Sequence, residues 1–332
     1  MIRIIAEAGV NHNGSLEMAK RLVDAAAEAG ADYVKFQTFK AENLVTGKAS
    51  KAEYQKKNTG ESEESQLAML RKLELSERDH RELKDYCQKK GIKFLSTPFD
   101  LESIEFLHSL GLDLWKIPSG EITNYPYLRK IAGYNEEVVM STGMCSPEDV
   151  DAALQALAEN GQDIGKVTLL HCNTQYPTPM CDVNLLAMNS LRKYVRNVGF
   201  SDHTAGIEVP VAAAALGASV IEKHFTLSRD LPGPDHKASL EPDELKAMIR
   251  AIRNIEVALG SSEKGVTPSE AGNKEIARKS IVASRMIKKG EILGEDNMTA
   301  KRPGAGISPM RWKDIEGTAA IRDFDIDEMI EI

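Results

Sequence analysis

Along the first 260 residues, short apolar runs alternate with longer amphipathic ones. The apolar runs predict strands at Ile2–Ala6, Tyr33–Gln37, Lys93–Ser96, Leu114–Ile117, Val138–Ser141, Val167–Cys172, Val198–Ser201 and Val220–His224. Each is short, bounded by Gly, Pro or Asn, and apolar at consecutive positions, the pattern of strands buried on both faces. The stretches between them carry helix punctuation. Ser15 precedes Leu16–Ala29, which stops at Gly30. Ser76 opens Ser-Glu-Arg-Asp, with an acid three residues on, and a helix to Lys89 before Gly91. Pro147 stands in the first turn before Glu148–Asn160 and Gly161, and Glu208–Leu216 and Pro242–Leu259 complete the regular set. Asp100–Leu110, Pro126–Tyr134 and Leu185–Tyr194 are helical by a weaker pattern.

Eight strands each followed by a helix predict an α/β fold, a (β/α)8 barrel over residues 1–260. The alternative is a doubly wound open sheet, against which stands the lack of a GxGxxG turn after the first strand. Between the second strand and its helix lies a charged insertion, Lys40–Lys72, expected as a loop with a short helix over one barrel face. Its runs Lys48–Lys57 and Glu61–Glu64 read as solvated faces. Beyond Gly260 the texture changes: residues 261–275 are polar and read as a linker. Residues 276–332 become short apolar pieces around a Pro/Gly-rich KRPGAGISP, the pattern of a small β-rich domain.

Composition narrows the function. With 42 Lys+Arg against 50 Asp+Glu, the net charge of −8 and the absence of a basic block argue against nucleic-acid or anionic-membrane binding. Any anion must be held by a few placed lysines. Cys87, Cys145, Cys172 and Cys181 form no CxxC pair, which fits a reducing cytoplasm rather than a disulfide framework or zinc ribbon. No apolar run is long enough to span a bilayer, and Glu7 interrupts the N-terminus before a signal-peptide core forms, so a cytoplasmic protein is expected.

In a parallel barrel the C-terminal strand ends build the active site. Here they carry Glu7, Lys35 and Gln37, Ser96 and Thr97, Lys116 and Ser119, Ser141 and Thr142, His171 to Thr174, Ser201 to His203, and Glu222 to His224. Three lysines (Lys35, Lys116, Lys223) sit inside apolar runs. A lone lysine there often snorkels to the surface, but converging lysines with hydroxyls make a phosphate or carboxylate site. His203 and His224 end consecutive strands, and two neighbouring imidazoles suit a divalent transition metal with open positions. Asp235 is placed to hold substrate or metal, and His236 is a weaker candidate. His80 and His108 fall on helices and read as structural, and Cys172 as a small core residue. Nucleophile elbow, P-loop and HExxH are absent.

The runs AEAGVNHNG (6–14), VKFQTF (34–39), FLSTPFD (94–100), KIPSGEI (116–122), STGM (141–144), LLHCNTQYPTP (169–179), GFSDHT (199–204) and EKHFTL…GPDHKASLEP (222–242) together resemble the sialic acid synthase family. The tail, with KKGEI and KRPGAGI, resembles the antifreeze-like SAF domain of those enzymes. The resemblance implies a condensation of phosphoenolpyruvate with an acetamido hexose and water, giving a nonulosonic acid and phosphate. Carried onto this chain, it makes Lys35, Lys116, Thr97, Ser119, Ser141 and Ser201 the phosphoenolpyruvate cradle. His203 and His224 become ligands of manganese, with magnesium a possible substitute. Glu7, Gln37, Tyr176 and Asp235 become sugar contacts. Glu7, Glu121 and His224 become catalytic groups, Glu7 and Glu121 as acid/base candidates. Some members have Asn where this chain has Thr174; here Asn stands at Asn173, and either residue could face the cradle. Arg302 resembles an arginine that one subunit's SAF domain inserts into the other's barrel, implying a domain-swapped homodimer.

For the acceptor, N-acetylmannosamine (an N-acetylneuraminate synthase) stands first. The alternative is 2,4-diacetamido-2,4,6-trideoxymannose (a legionaminic acid synthase), followed by the altro sugar of pseudaminic acid. A synthase of eight- or seven-carbon keto acids, and an inactive barrel whose SAF module binds carbohydrate or a protein, are the remaining alternatives.

Overall fold

The computed structural model describes residues 1–47, 49–51, 55 and 65–332. The charged runs Lys48–Lys57 and Glu61–Glu64 fall mostly outside the described residues. The chain divides into two compact units, Met1–Gly260 and Ser261–Ile332.

The first unit is the expected barrel. Its strands are β1 (Arg3–Gly9), β2 (Tyr33–Thr38), β3 (Lys93–Pro98), β4 (Leu114–Ile117), β5 (Glu137–Ser141), β6 (Val167–Cys172), β7 (Asn197–Asp202) and β8 (Val220–His224). They pair in parallel in the order β3-β2-β1-β8-β7-β6-β5-β4. The β1–β8 pairing, with Glu7 beside His224, wraps the sheet round on itself.

Helices ring the sheet, and their caps explain where they start. Ser76 and Asp79 form a reciprocal capping box before Glu77–Lys90, as Ser146 and Asp149 do before Pro147–Glu159. The helix Leu16–Ala29 ends at Gly30, whose φ of 85° a residue with a Cβ adopts only under strain. One expected helix is broken: Leu185–Tyr194 consists of a single turn, Ala187–Ser190, and a 3-10 turn, Leu191–Lys193. The insertion after β2 holds two helices among its described residues, Ala41–Leu44 and Gln66–Leu73.

The barrel interior is built in layers, because alternate residues of a strand share a face. Ile5, Tyr33, Leu95, Leu114, Val139, Leu170 and Val220 form one buried apolar layer. On β7 the matching position is Gly199, where a Cβ would lie 2.3 Å from the Val220 carbonyl oxygen and 2.7 Å from Leu170 Cδ2. Seven side chains fill the layer, and the eighth position must be empty. Outward-facing residues such as Ile4, Val34, Trp115 and Phe200 pack against the helices in a second core.

The second unit has its own core of Ile281, Ala283, Ile287, Leu293, Met298, Ile315, Ala320, Phe324 and Ile330. Strands β9 (Ser280–Ala283) and β10 (Met298–Lys301) pair antiparallel within it. The polar stretch 261–275, read as linker, contains most of the helix Pro268–Ala277, which is capped by Thr267 and Glu270 and buries none of its residues. Its apolar content was too sparse to announce a helix.

The full layer predicts that Gly199→Ala lowers stability by about 1–3 kcal/mol through overpacking. A melting temperature equal to the parent's, measured by calorimetry, would contradict it.

Candidate active site

Two residues above the apolar layer, on the same inward face, every strand changes character. Ile5 gives way to Glu7, Tyr33 to Lys35, Leu95 to Thr97 and Leu114 to Lys116. On the other half Val139 gives way to Ser141, Leu170 to Cys172, Gly199 to Ser201 and Val220 to Glu222. This polar layer floors a cavity of about 320 Å³.

Its charges are mutually compensated. Lys35 Nζ lies 2.8 Å from Glu7 Oε2 and 3.6 Å from Glu222 Oε2, and donates to Thr97 Oγ1 at 2.9 Å. Lys116 Nζ donates to Ser141 Oγ at 2.7 Å and lies 3.9 Å from Glu222 Oε1, which also accepts from Ser201 Oγ at 3.0 Å. The two lysine side chains are 5% and 2% exposed. An uncompensated cation so deep is prohibitive, and two carboxylates beside two ammonium groups remove that penalty.

The two carboxylates are unequal. Burial pushes the Glu7 carboxyl up from the ordinary 4.5 to about 7, against the pull of Lys35. Burial acts on Glu222 in the same sense, but Lys116 and Lys35 outweigh it and hold its carboxyl below the usual range. Burial likewise works against the Lys35 charge, yet Glu222 and Glu7 keep its pKa above normal, whereas for Lys116 burial prevails and lowers it. Glu222, to which sequence gave no role, is the shared counterion of both lysines. Its signal was arithmetic: two buried lysines need two carboxylates, and Glu7 is only one.

Above this floor the rings of His203 and His224 lie 5.3 Å apart. His203 Nδ1 bonds the Asn173 carbonyl, and its Nε2 meets Tyr176 Oη at 2.9 Å. His224 Nδ1 is buried without a hydrogen-bond partner. Burial holds both imidazoles neutral, His203 down to about 4. Neutral imidazole is the form that binds metal. Among the described residues no group of three His, Cys, Asp or Glu has metal-binding geometry. Two neighbouring neutral imidazoles fit a divalent ion that takes its remaining ligands from substrate or water.

The cavity wall also includes Gln37, Ser119, Thr174, Tyr176 and Asp235. Gln37 Nε2 donates to Glu7 Oε1 at 3.2 Å, and Ser119 Oγ accepts from Gly143 N at 2.9 Å. Burial pushes the Asp235 carboxyl up to about 6. Thr174, not Asn173, faces the cavity: Asn173 Oδ1 accepts from Gln175 N and its amide reaches the Asp182 carbonyl. Cys172 lines the floor with its thiol pushed up to about 11 by burial.

One expected residue lies apart. Glu121 is half-buried, its carboxyl raised by burial, and Oε2 accepts from Asn124 Nδ2 at 2.6 Å. Its neighbours Ser119 and Gly120 reach the cavity wall. Arg302 belongs to the second unit, where its Nε donates to the Ala277 carbonyl at 3.0 Å. His236 bonds Thr226 Oγ1 and Asn13 Oδ1, and His80 bonds the Ser76 carbonyl and Thr38 Oγ1.

The mouth of the cavity was not legible. Leu44, Val45, Met69, Leu70, Leu73 and Phe99 line it, all but Leu73 and Phe99 from the insertion and Leu73 directly after it. Gln55 and Gln66 add amides there, and among the described lining residues the cations are only the two floor lysines.

A barrel with a lysine–carboxylate floor and paired imidazoles is an enzyme site for a small anionic molecule. The NeuB family model matches residues 22–264 and a SAF domain matches residues 278–331. An N,N'-diacetyllegionaminic acid synthase of Campylobacter jejuni is 54% identical over 328 residues, covering 98% of each chain. A second of that name, from Legionella pneumophila, is 48% identical over 95% of this chain and 89% of its own. The crystal structure of an N-acetylneuraminic acid synthetase from Leptospira borgpetersenii, in complex with citrate, superposes with a TM-score of 0.72. It is 33% identical over 82% of this chain and 90% of that one. The chain thus belongs to the NeuB family, with a C-terminal SAF domain. It is a transferase that carries out a sialic acid synthase-type condensation. No helix among the described residues is long and apolar enough to cross a membrane.

Glu7 generates a pH prediction. A carboxyl with a folded value near 7 and an unfolded value near 4.5 binds more protons in the native state between those limits. Its contribution therefore makes stability fall as pH rises from about 4.5 to about 7. The melting temperature of Glu7→Gln should gain on the parent's across that window and level off above it. A constant difference from pH 4.5 to 8 would contradict the raised value.

Proposed function

We propose that the chain condenses phosphoenolpyruvate with 2,4-diacetamido-2,4,6-trideoxymannose and water, releasing phosphate and N,N'-diacetyllegionaminic acid. The observation that carries the acceptor choice is the apolar mouth of the cavity. A 6-deoxy sugar with a second acetamido group presents two methyl groups there. N-acetylmannosamine presents hydroxyls at those carbons, which the side chains of Leu44, Val45, Leu70 and Leu73 cannot hydrogen-bond, leaving only the amides of Gln55 and Gln66 as polar groups there. The sequence alone placed N-acetylmannosamine first; the mouth and the similarity to two legionaminic acid synthases reverse that order.

In this reading Lys35 and Lys116, with Thr97, Ser119, Ser141, Thr174 and Ser201, bind the phosphate and carboxylate of phosphoenolpyruvate. The lysines are aimed before substrate arrives, because Glu7 and Glu222 hold them. Preorganisation of this kind avoids reorganisation cost during the reaction. Glu7 Oε2, with a value near 7, is suited to hold and transfer a proton at neutral pH. Glu121, also raised, is the second candidate. Gln37, Tyr176 and Asp235 orient the sugar. His203 and His224 hold a divalent metal, manganese or magnesium, which supplies a Lewis acid for the acceptor's aldehyde oxygen. Arg302 is proposed to complete the sugar site of a second subunit, in a homodimer that exchanges SAF domains.

Phosphate release from phosphoenolpyruvate with Mn²⁺ tests the acceptor. The diacetamido sugar should exceed N-acetylmannosamine in kcat/KM by about 10–200-fold, the range an apolar pocket achieves for small differences. Equal or reversed preference overturns the acceptor choice, and no release with either overturns the reaction. Truncation of residues 276–332 should abolish turnover, and mixing the truncated chain with a full-length His224→Ala chain, whose SAF domain still carries Arg302, should restore part of it if the domains are exchanged. Full activity of the truncated barrel alone would exclude a role for Arg302.

A further inference from the structure

We propose that the buried Asp202–Lys223 ion pair is a positioning device that sets the spacing of His203 and His224 for the metal. The inference rests on the metal role given to those histidines above.

The pair lies on the opposite strand face from the imidazoles. Phe200 on β7 and Ile221 on β8 point outward into the helix-packed core, and Asp202 and Lys223, two residues on, share that face. The residues are in direct register across β7 and β8. Both side chains are 0% exposed. None of the proposed chemistry needs either of them.

Their bonds form one closed knot around the strand ends. Lys223 Nζ pairs with Asp202 Oδ2 and also donates to the Thr204 carbonyl. Asp202 Oδ1 accepts from Thr204 N at 3.0 Å and Oδ2 from Thr204 Oγ1 at 3.0 Å. The knot thereby fixes the backbone on both sides of His203 and ties it to the residue preceding His224. That tie matters most for His224. Metal-bound histidines are normally oriented by a hydrogen bond to the other ring nitrogen. His203 has one, to Asn173, but His224 Nδ1 has none. The direction of the His224 ring is set by packing against the Tyr176 and His203 rings and by its backbone, which Lys223 anchors.

Stability does not explain the pair. Replacing a buried ion pair by apolar residues of similar size is often neutral or stabilising by about 1–4 kcal/mol. A pair kept for geometry should instead show its effect at the metal.

The test is the affinity of chelator-stripped full-length protein for Mn²⁺, measured by calorimetry, in the double variant Asp202→Leu/Lys223→Met. Expected is a melting temperature at or above the parent's, a Kd for Mn²⁺ raised about 10–100-fold, and phosphoenolpyruvate affinity within about twofold. Asp202→Asn, which keeps the shape, should weaken Mn²⁺ in the same direction. A folded double variant with parental Mn²⁺ affinity overturns the proposal. So does a proportional loss of phosphoenolpyruvate affinity, or failure of both variants to fold, since either makes the pair a requirement of the barrel. His224→Ala separates the premises: if it also keeps parental Mn²⁺ affinity, the metal reading fails, whereas if it alone loses the ion, only the positioning role fails.

Discussion

The first unit depends on one electrostatic constraint: two ammonium groups sit in the middle of a barrel, where water cannot solvate them. The apolar layer beneath offers nothing, and the strands admit only one inward residue each at that height. The solution is to spend two of the eight positions on Glu7 and Glu222. Thr97, Ser141 and Ser201 then complete the lysine and carboxylate hydrogen bonds. The layer is therefore both a structural necessity and a preformed anion site, and these are the same fact. A cradle of lysines without resident carboxylates would fold poorly, and one with exposed lysines would be screened.

Burial then assigns different characters to similar groups. Glu7, with one lysine beside it, is pushed to about 7, while Glu222, between two, is held low. The imidazoles above are kept neutral by burial, with His203 braced by a carbonyl and His224 by ring packing and its backbone. In the proposed reaction the floor fixes the donor, the imidazoles and Asp235 face the acceptor, and the insertion covers the far end.

The barrel was legible because each strand combined an apolar run with a polar end, and β4, β6 and β8 have the very bounds the sequence suggested. The lysines stood out for the same reason. Glu222 did not, because its partners come from β2 and β4 and only ring closure brings them together. The choice between Asn173 and Thr174 required the loop's own hydrogen bonds. The apolar mouth was hidden because Leu44, Val45, Met69, Leu70 and Leu73 are scattered through a charged segment, and form one cluster only once its helices fold back. The helix Pro268–Ala277 was missed because it buries nothing, so no apolar period marks it.

The layering has a consequence for how such an enzyme can diversify. Every inward position at the floor is committed, so a change there disturbs charge balance, packing and chemistry at once. The mouth is different: its side chains hang from a segment inserted between β2 and the helix Glu77–Lys90, outside the strand register. Lengthening, shortening or repolarising that segment leaves the floor untouched. In the proposed reading, the chemistry is thus encoded in the barrel floor and part of the acceptor choice in the insertion, so a change of sugar at the mouth need not renegotiate the chemistry that joins it.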